Sequence, residues 1–157
     1  MIDSCGLRIG NIILFHGEPI VVKGVLSEVV YLDGVVRQSA SGNGVEFKPI
    51  LISDASVQPL PLNDFLLEQM QRNRIVDRNG KRHVYYVRSS NFFIFEDSDG
   101  YFIGMCNNVG PIHITPGKFY YYHQLQNIYF AQYGNEIDIS EKEVKLAWHT
   151  AKNLGKI

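Results

Sequence analysis

The chain has 157 residues, of which 45% are hydrophobic and 20% charged, with a net charge of −1. Those values describe one ordinary domain, or two very small ones sharing a core; they lie well away from disordered compositions and remove any need for a metal or disulfide to fold. A near-neutral balance also excludes a globally basic nucleic-acid binder, although not a local basic patch.

Cys5 and Cys106 lie about a hundred residues apart without CxxC spacing, which reads as free thiols in a reducing compartment. The opening Met1 to Gly6 has neither a basic nor an apolar leader segment, and no apolar run nears the ~20 residues that span a bilayer. Cytoplasm is the default. Nine Tyr and nine Phe are a large ring content. Surplus Tyr leans toward recognition, against the plainer reading of a Tyr-rich sheet face.

Taken in chain order, the first third predicts short strands. Asn11 to His16 is apolar, Gly17-Glu18 turns, Pro19 to Val25 runs back, and Glu28 to Leu32 is closed by Asp33-Gly34. Gln38 to Gly44 is a small, polar loop, and Val45 to Ile52 returns to a strand pattern. Four or five short strands in about fifty residues predict a small bent sheet or SH3-like barrel.

Val57 to Leu62 is extended because each proline disfavours α conformation in the residue before it. Asn63 caps a short helix predicted over Asp64 to about Gln71. From Ile75 an antiparallel meander follows. Its Asn79-Gly80 hairpin joins Ile75-Val76 to Val84–Val87, and further strands are expected at Phe92–Phe95, Tyr101–Met105 and Ile112–Ile114. Thr115-Pro116-Gly117 ends that sheet. Two helices close the chain: Tyr122 to Tyr133 with Gly134 at its C-terminal cap, and one begun by the capping box Ser140-Glu141-Lys142-Glu143. The second carries Val144, Ala147, Trp148, Ala151 and Leu154 at helical spacing and ends at Gly155.

The predicted class is therefore α+β and strand-rich: an N-terminal bent sheet or SH3-like barrel, a central antiparallel meander and C-terminal helices. One compact unit is expected over 1–157. Its possible subdomains are 1–58, 59–139 (helix, meander and helix) and 140–157 (terminal helix).

Catalytic signatures are missing. There is no GxGxxG, P-loop, GxSxG elbow or HExxH. Asp97-Ser98-Asp99-Gly100 resembles half a calcium loop, but aligning its glycine puts Phe95 and Cys106 at ligand positions, so it reads as a β-turn. His16, His83, His113, His123 and His149 show no i, i+4 pair. No catalytic residue, metal ligand or cofactor is assigned.

Charge is more informative. Residues 71–92 hold six basic side chains and one acidic. Arg72, Arg74, Arg78, Lys81 and Arg82, with Tyr85 and Tyr86, suit a nucleotide or a nucleic acid stacked on the rings. The competing reading is a solvated hairpin tip. Tyr120, Tyr121, Tyr122 and His123 open the densest run of amphipathic side chains. That run reads either as an aromatic-rimmed protein-contact surface or as a strand-to-helix junction packed on the sheet.

The run His123-Gln124-Leu125-Gln126-Asn127-Ile128-Tyr129-Phe130-Ala131, with Gly134, Glu136 and Ile137 after it, resembles a C-terminal signature. It occurs in small proteins of anaerobic gut bacteria and their phages. Leu7-Arg8-Ile9-Gly10-Asn11 is similar to the opening of that group, and Gln58-Pro59-Leu60-Pro61-Leu62-Asn63 to its central helix start. The resemblance implies a phage or mobile-element origin and brings no catalytic residues. The long glycine-containing loop and the helix from Glu141 depart from the pattern.

The expectation is a non-enzymatic binding protein, phage-related, acting through a protein–protein surface on a host or phage partner, without membrane attachment. Alternatives are a nucleotide or nucleic-acid binder, for example an anti-defence protein sequestering a signalling nucleotide, and a virion component. The compartment is the host cytoplasm, or the virion for a structural protein.

Overall fold

The structure, a computed structural model, describes residues 6–42, 44–69, 75–76, 83–86, 92–97, 100–107, 110–113 and 117–157. It is α+β, as composition and pattern predict. β1 (Ile12–Phe15), β2 (Glu18–Leu26), β3 (Val29–Gln38), β4 (Val45–Leu51) and β5 (Val57–Gln58) form an antiparallel sheet in the order β4-β3-β2-β1-β5. His16 and Gly17 make the first hairpin with φ of 52° and 81°, the left-handed pair that matches strand twist.

The boundary that differs most from expectation is that of β3. Asp33-Gly34 does not close the third strand; β3 runs on to Gln38. Pairing with β4 shifts register between Tyr31 and Val36, where Gly34 adopts φ 71°. A glycine in that conformation can bulge a strand as readily as reverse it, and a bulge bends without ending. A second shift lies between Val22 and Gly24 of β2. Together they curl the sheet into a half-barrel around Ile13, Val22, Val30, Leu32, Ile50 and Val57.

α1 (Asp64–Gln69) follows, capped where the Leu66 N–H donates to Asn63 Oδ1 at 3.0 Å. The last turn predicted for it, Met70 and Gln71, lies outside the described residues. β6 (Ile75–Val76), β7 (His83–Tyr86), β8 (Phe93–Asp97), β9 (Gly100–Asn107) and β10 (Gly110–His113) make the second antiparallel sheet, a simple meander. The Asn79-Gly80 turn also lies outside the described residues, but the strands assigned to it do pair, Ile75 opposite Val84.

α2 (Tyr122–Tyr133) and α3 (Glu141–Asn153) complete the chain. Gly134 caps α2 with φ 71°, and Ser140 with Glu143 forms the capping box that starts α3. Helices and both sheets meet in a second, larger core that includes Ile12, Leu60, Ile94, Leu125, Val144 and Trp148.

β1 explains how two cores coexist. Its sequence Ile12-Ile13-Leu14-Phe15 is apolar without alternation because both faces are covered. Ile13 points into the half-barrel, whereas Ile12 and Leu14 point out into the helical core. Trp148 ties α3 to the same strand pair, its Nε1 donating to the Gly17 carbonyl at 3.0 Å.

Candidate functional site

Arg72, Arg74, Arg78, Lys81 and Arg82 lie outside the described residues. Tyr85 and Tyr86 are placed by their backbone in β7, opposite Ile94 and Phe93 of β8.

The tyrosine run is described in full, and it is a junction. Phe119 exchanges hydrogen bonds with Tyr101 of β9 at 2.8 and 3.0 Å. One step on, Leu62 donates to the Tyr120 carbonyl and Tyr122 to the Leu60 carbonyl, both at 2.9 Å. The segment thus splices the second sheet to the extended proline stretch and then starts α2. Gln124 Oε1 accepts from the Tyr120 and Tyr121 N–H groups at 3.0 and 3.1 Å, meeting donors that a helix start leaves open.

Burial sorts the four residues proposed as a contact surface. Tyr122 and His123 are inside, and so are removed from any surface of the folded chain, whereas Tyr120 is about half exposed and Tyr121 partly so. Burial drives the His123 imidazole down to about 4, so it is neutral near pH 7. Its Nδ1 has no partner, and its ring stacks on Tyr121 at 5.9 Å between centroids. Burial raises the Tyr122 phenol, with Glu136 and Glu143 adding to the shift.

The residues of the signature-like run meet those of the opening segment. Gln126 Oε1 accepts from the Ile12 N–H at 2.9 Å while its Nε2 donates to the Gly10 carbonyl at 3.1 Å. Asn11 Nδ2 donates to Asn127 Oδ1 at 2.9 Å. Arg8 forms a two-pronged ion pair with Glu136, and its guanidinium sits 4.3 Å from the centre of the Phe130 ring. Gln126, Asn127 and Asn11 tie α2 to the head of β1 and the segment before it, and Arg8 ties that segment to Glu136 beyond α2, with Arg8 Nε left without a partner among the described residues. This constellation positions the fold.

A cavity of about 510 Å³ lies where Phe15, Glu18, Asp33, Glu141 and Lys145 converge. Its charges already have partners: Lys145 with Glu141, Lys23 with Asp33, and His149 with Glu18. Among the described residues, no group of three or more His, Cys, Asp or Glu side chains is arranged to hold a metal ion.

The remaining feature is the outer face of β3 and β4. Ile50 enters the half-barrel core, so Val45, Phe47, Pro49 and Leu51 face the other way. Cross-strand pairing adds Val36 opposite Phe47, Tyr31 opposite Pro49, and Leu26 opposite Val29. Tyr31 packs against Gly24, where an added Cβ would stand 3.1 Å from the ring. Val45 is 74% exposed, Leu26 66%, Leu51 55% and Phe47 44%. On this outer surface α2 packs against β1 and α3 against β2. Sequence reasoning did not single out these residues. Their signal is the phase of one buried neighbour, Ile50, which alternation alone cannot supply.

Compared with known proteins, the chain matches no family model, no curated protein and no solved structure at a significant level. No described helix is long and apolar enough to cross a membrane.

Proposed function

We propose that this is a binding protein that engages another protein surface through the outer face of β3 and β4. One observation carries the reading: Leu26, Val36, Val45, Phe47 and Leu51 are all exposed and share one sheet face. A patch of large apolar side chains on one face costs solubility and marks interaction sites, unlike scattered single exposures. Among the described residues β4 ends its sheet, and its outer edge borders the patch and adds main-chain donors and acceptors that a partner can meet. Tyr120 stands apart on the junction and serves as a control position.

The test uses a photo-crosslinking amino acid introduced at position 47 or at position 120 in the full chain, irradiated in the producing cells. Adducts formed from position 47 and lost on Val45→Ser with Leu51→Ser support the reading. Absence of any protein adduct from position 47, with equal labelling at 120, would remove it.

A further inference from the structure

We propose that the partner at this face is a second copy of the same chain, joined by antiparallel pairing of β4 with β4 about a two-fold axis at Phe47. The inference rests on the reading above and deepens it.

β4 is an edge strand, and its free hydrogen-bonding side can be identified residue by residue. The Ser39 N–H donates to the Gly44 carbonyl at 2.9 Å and the Ile52 N–H to the Glu28 carbonyl at 2.8 Å. Even-numbered residues therefore bond to β3, and the main-chain groups of Val45, Phe47, Pro49 and Leu51 point outward. Proline at an edge is tolerated where its missing N–H faces away from the sheet, as at Pro49.

Only odd residues can exchange hydrogen bonds with a second β4, which leaves a few registers, and charge separates them. Centring on Glu46 or on Lys48 sets like charges opposite each other. Centring on Phe47 sets Glu46 opposite Lys48 of the second copy and Lys48 opposite its Glu46. In that register the two Phe47 main chains bond reciprocally, and each Val45 N–H meets a Pro49 carbonyl. The two Phe47 rings adjoin on the apolar outer face, flanked by Val45 and Pro49. Lys48 makes no ion pair among the described residues, and Glu46 holds Arg37 at 2.8 Å, so the new contact extends a charge ladder across the seam. Opposite charges placed directly across strands are favourable and like charges unfavourable. Lysine and proline on an edge ordinarily discourage pairing. Here Lys48 meets Glu46 in that register alone, while Pro49, with no N–H, leaves the facing Val45 carbonyl without a main-chain donor; a surface whose charges match themselves in this way meets the requirement for a two-fold dimer.

Sedimentation equilibrium of the full chain is expected to show a dimer. Glu46→Lys alone and Lys48→Glu alone each create two like-charge contacts and are expected to weaken it roughly tenfold or more. Mixing those two single variants restores pairing as a mixed dimer, and so does the double variant Glu46→Lys with Lys48→Glu in one chain. All four chains are expected to keep the native circular dichroism spectrum, since the changed side chains are exposed. A monomer at every concentration, or a dimer indifferent to both single changes, overturns the β4 seam. If the chain is monomeric while position 47 still crosslinks to a different protein, the binding reading stands and the self-pairing falls; no adduct at all removes both.

Discussion

The side chain of Gln126 takes the hydrogen-bonding place that a strand would occupy beside Ile12, accepting its N–H at 2.9 Å and donating to the Gly10 carbonyl at 3.1 Å. β5 is only two residues long and leaves β1 after pairing with Leu14 and Phe15. Without the amide, the buried Ile12 N–H and the partly buried Gly10 carbonyl would lose these partners.

Gln126→Leu keeps most of the volume and removes both bonds. A cost of about 1–3 kcal/mol is expected for stranding buried main-chain groups. For a domain this size that lowers the melting temperature by roughly 2–4 °C per kcal/mol. A melting temperature within 1 °C of the parent protein, an interval set by the usual ~0.3 kcal/mol uncertainty, would contradict the bridging role.

His123 gives the fold an acid sensitivity with a defined sign. Its imidazole is held down to about 4 in the folded state, against an ordinary value near 6.5. Between those values the unfolded chain binds the extra proton, so this stability is fully present above pH 6.5 and is lost as the pH falls toward 4. The shift corresponds to about 3 kcal/mol. His123→Phe preserves the stacking on Tyr121 and removes the titration. The stability difference between parent and variant should change across this window and level off above it; a difference flat from pH 4 to pH 7 would refute the assignment.

Trp148 is the only tryptophan, and it is both buried and bonded to Gly17. Its emission should be blue-shifted in the native protein and should report global unfolding. Trp148→Phe is expected to cost about 1 kcal/mol for the lost hydrogen bond, and Trp148→Ala about 3–5 kcal/mol for the cavity. Equal losses in the two variants, measured by urea denaturation, would mean that packing contributes nothing there.

Gly100 and Tyr120 form a close approach between β9 and the junction. Gly100 has φ 151°, and a Cβ there would stand 2.8 Å from Tyr120 Cε1. Gly100→Ala should therefore destabilise by about 1–3 kcal/mol through strain and overlap. Tyr120→Ala in the same chain should recover part of that loss. Additive effects in a double-mutant cycle would show that the ring does not press on the glycine.

The parts of the fold legible in the sequence are those decided locally. Ser140 and Glu143 begin α3, Gly134 ends α2, and Asn63 caps α1, each through bonds a few residues long. Asp33-Gly34 misled because a left-handed glycine serves a bulge as well as a hairpin, and the choice depends on β4, which comes later. At the tyrosine run Tyr122 and His123 turn inward with the helix, while Tyr120 stays at the surface. The outer face of β4 was illegible for another reason. In Val45-Glu46-Phe47-Lys48, alternation puts Val45 and Phe47 inside. Ile50 fixes the opposite phase, and the half-barrel core ends before it reaches that part of the strand.

β1, sealed on one side by its own sheet and on the other by helices, has a consequence for synthesis. Gly17, in the turn that follows it, bonds to Trp148, 131 positions on, and α2 packs on β1 itself, so the strand's outward side chains wait for helices from late in the sequence. At ~5–20 residues per second the interval is on the order of ten seconds. During that time Ile12 and Leu14 are wet, and the emerging half-barrel offers chaperones a greasy wall that the finished protein hides.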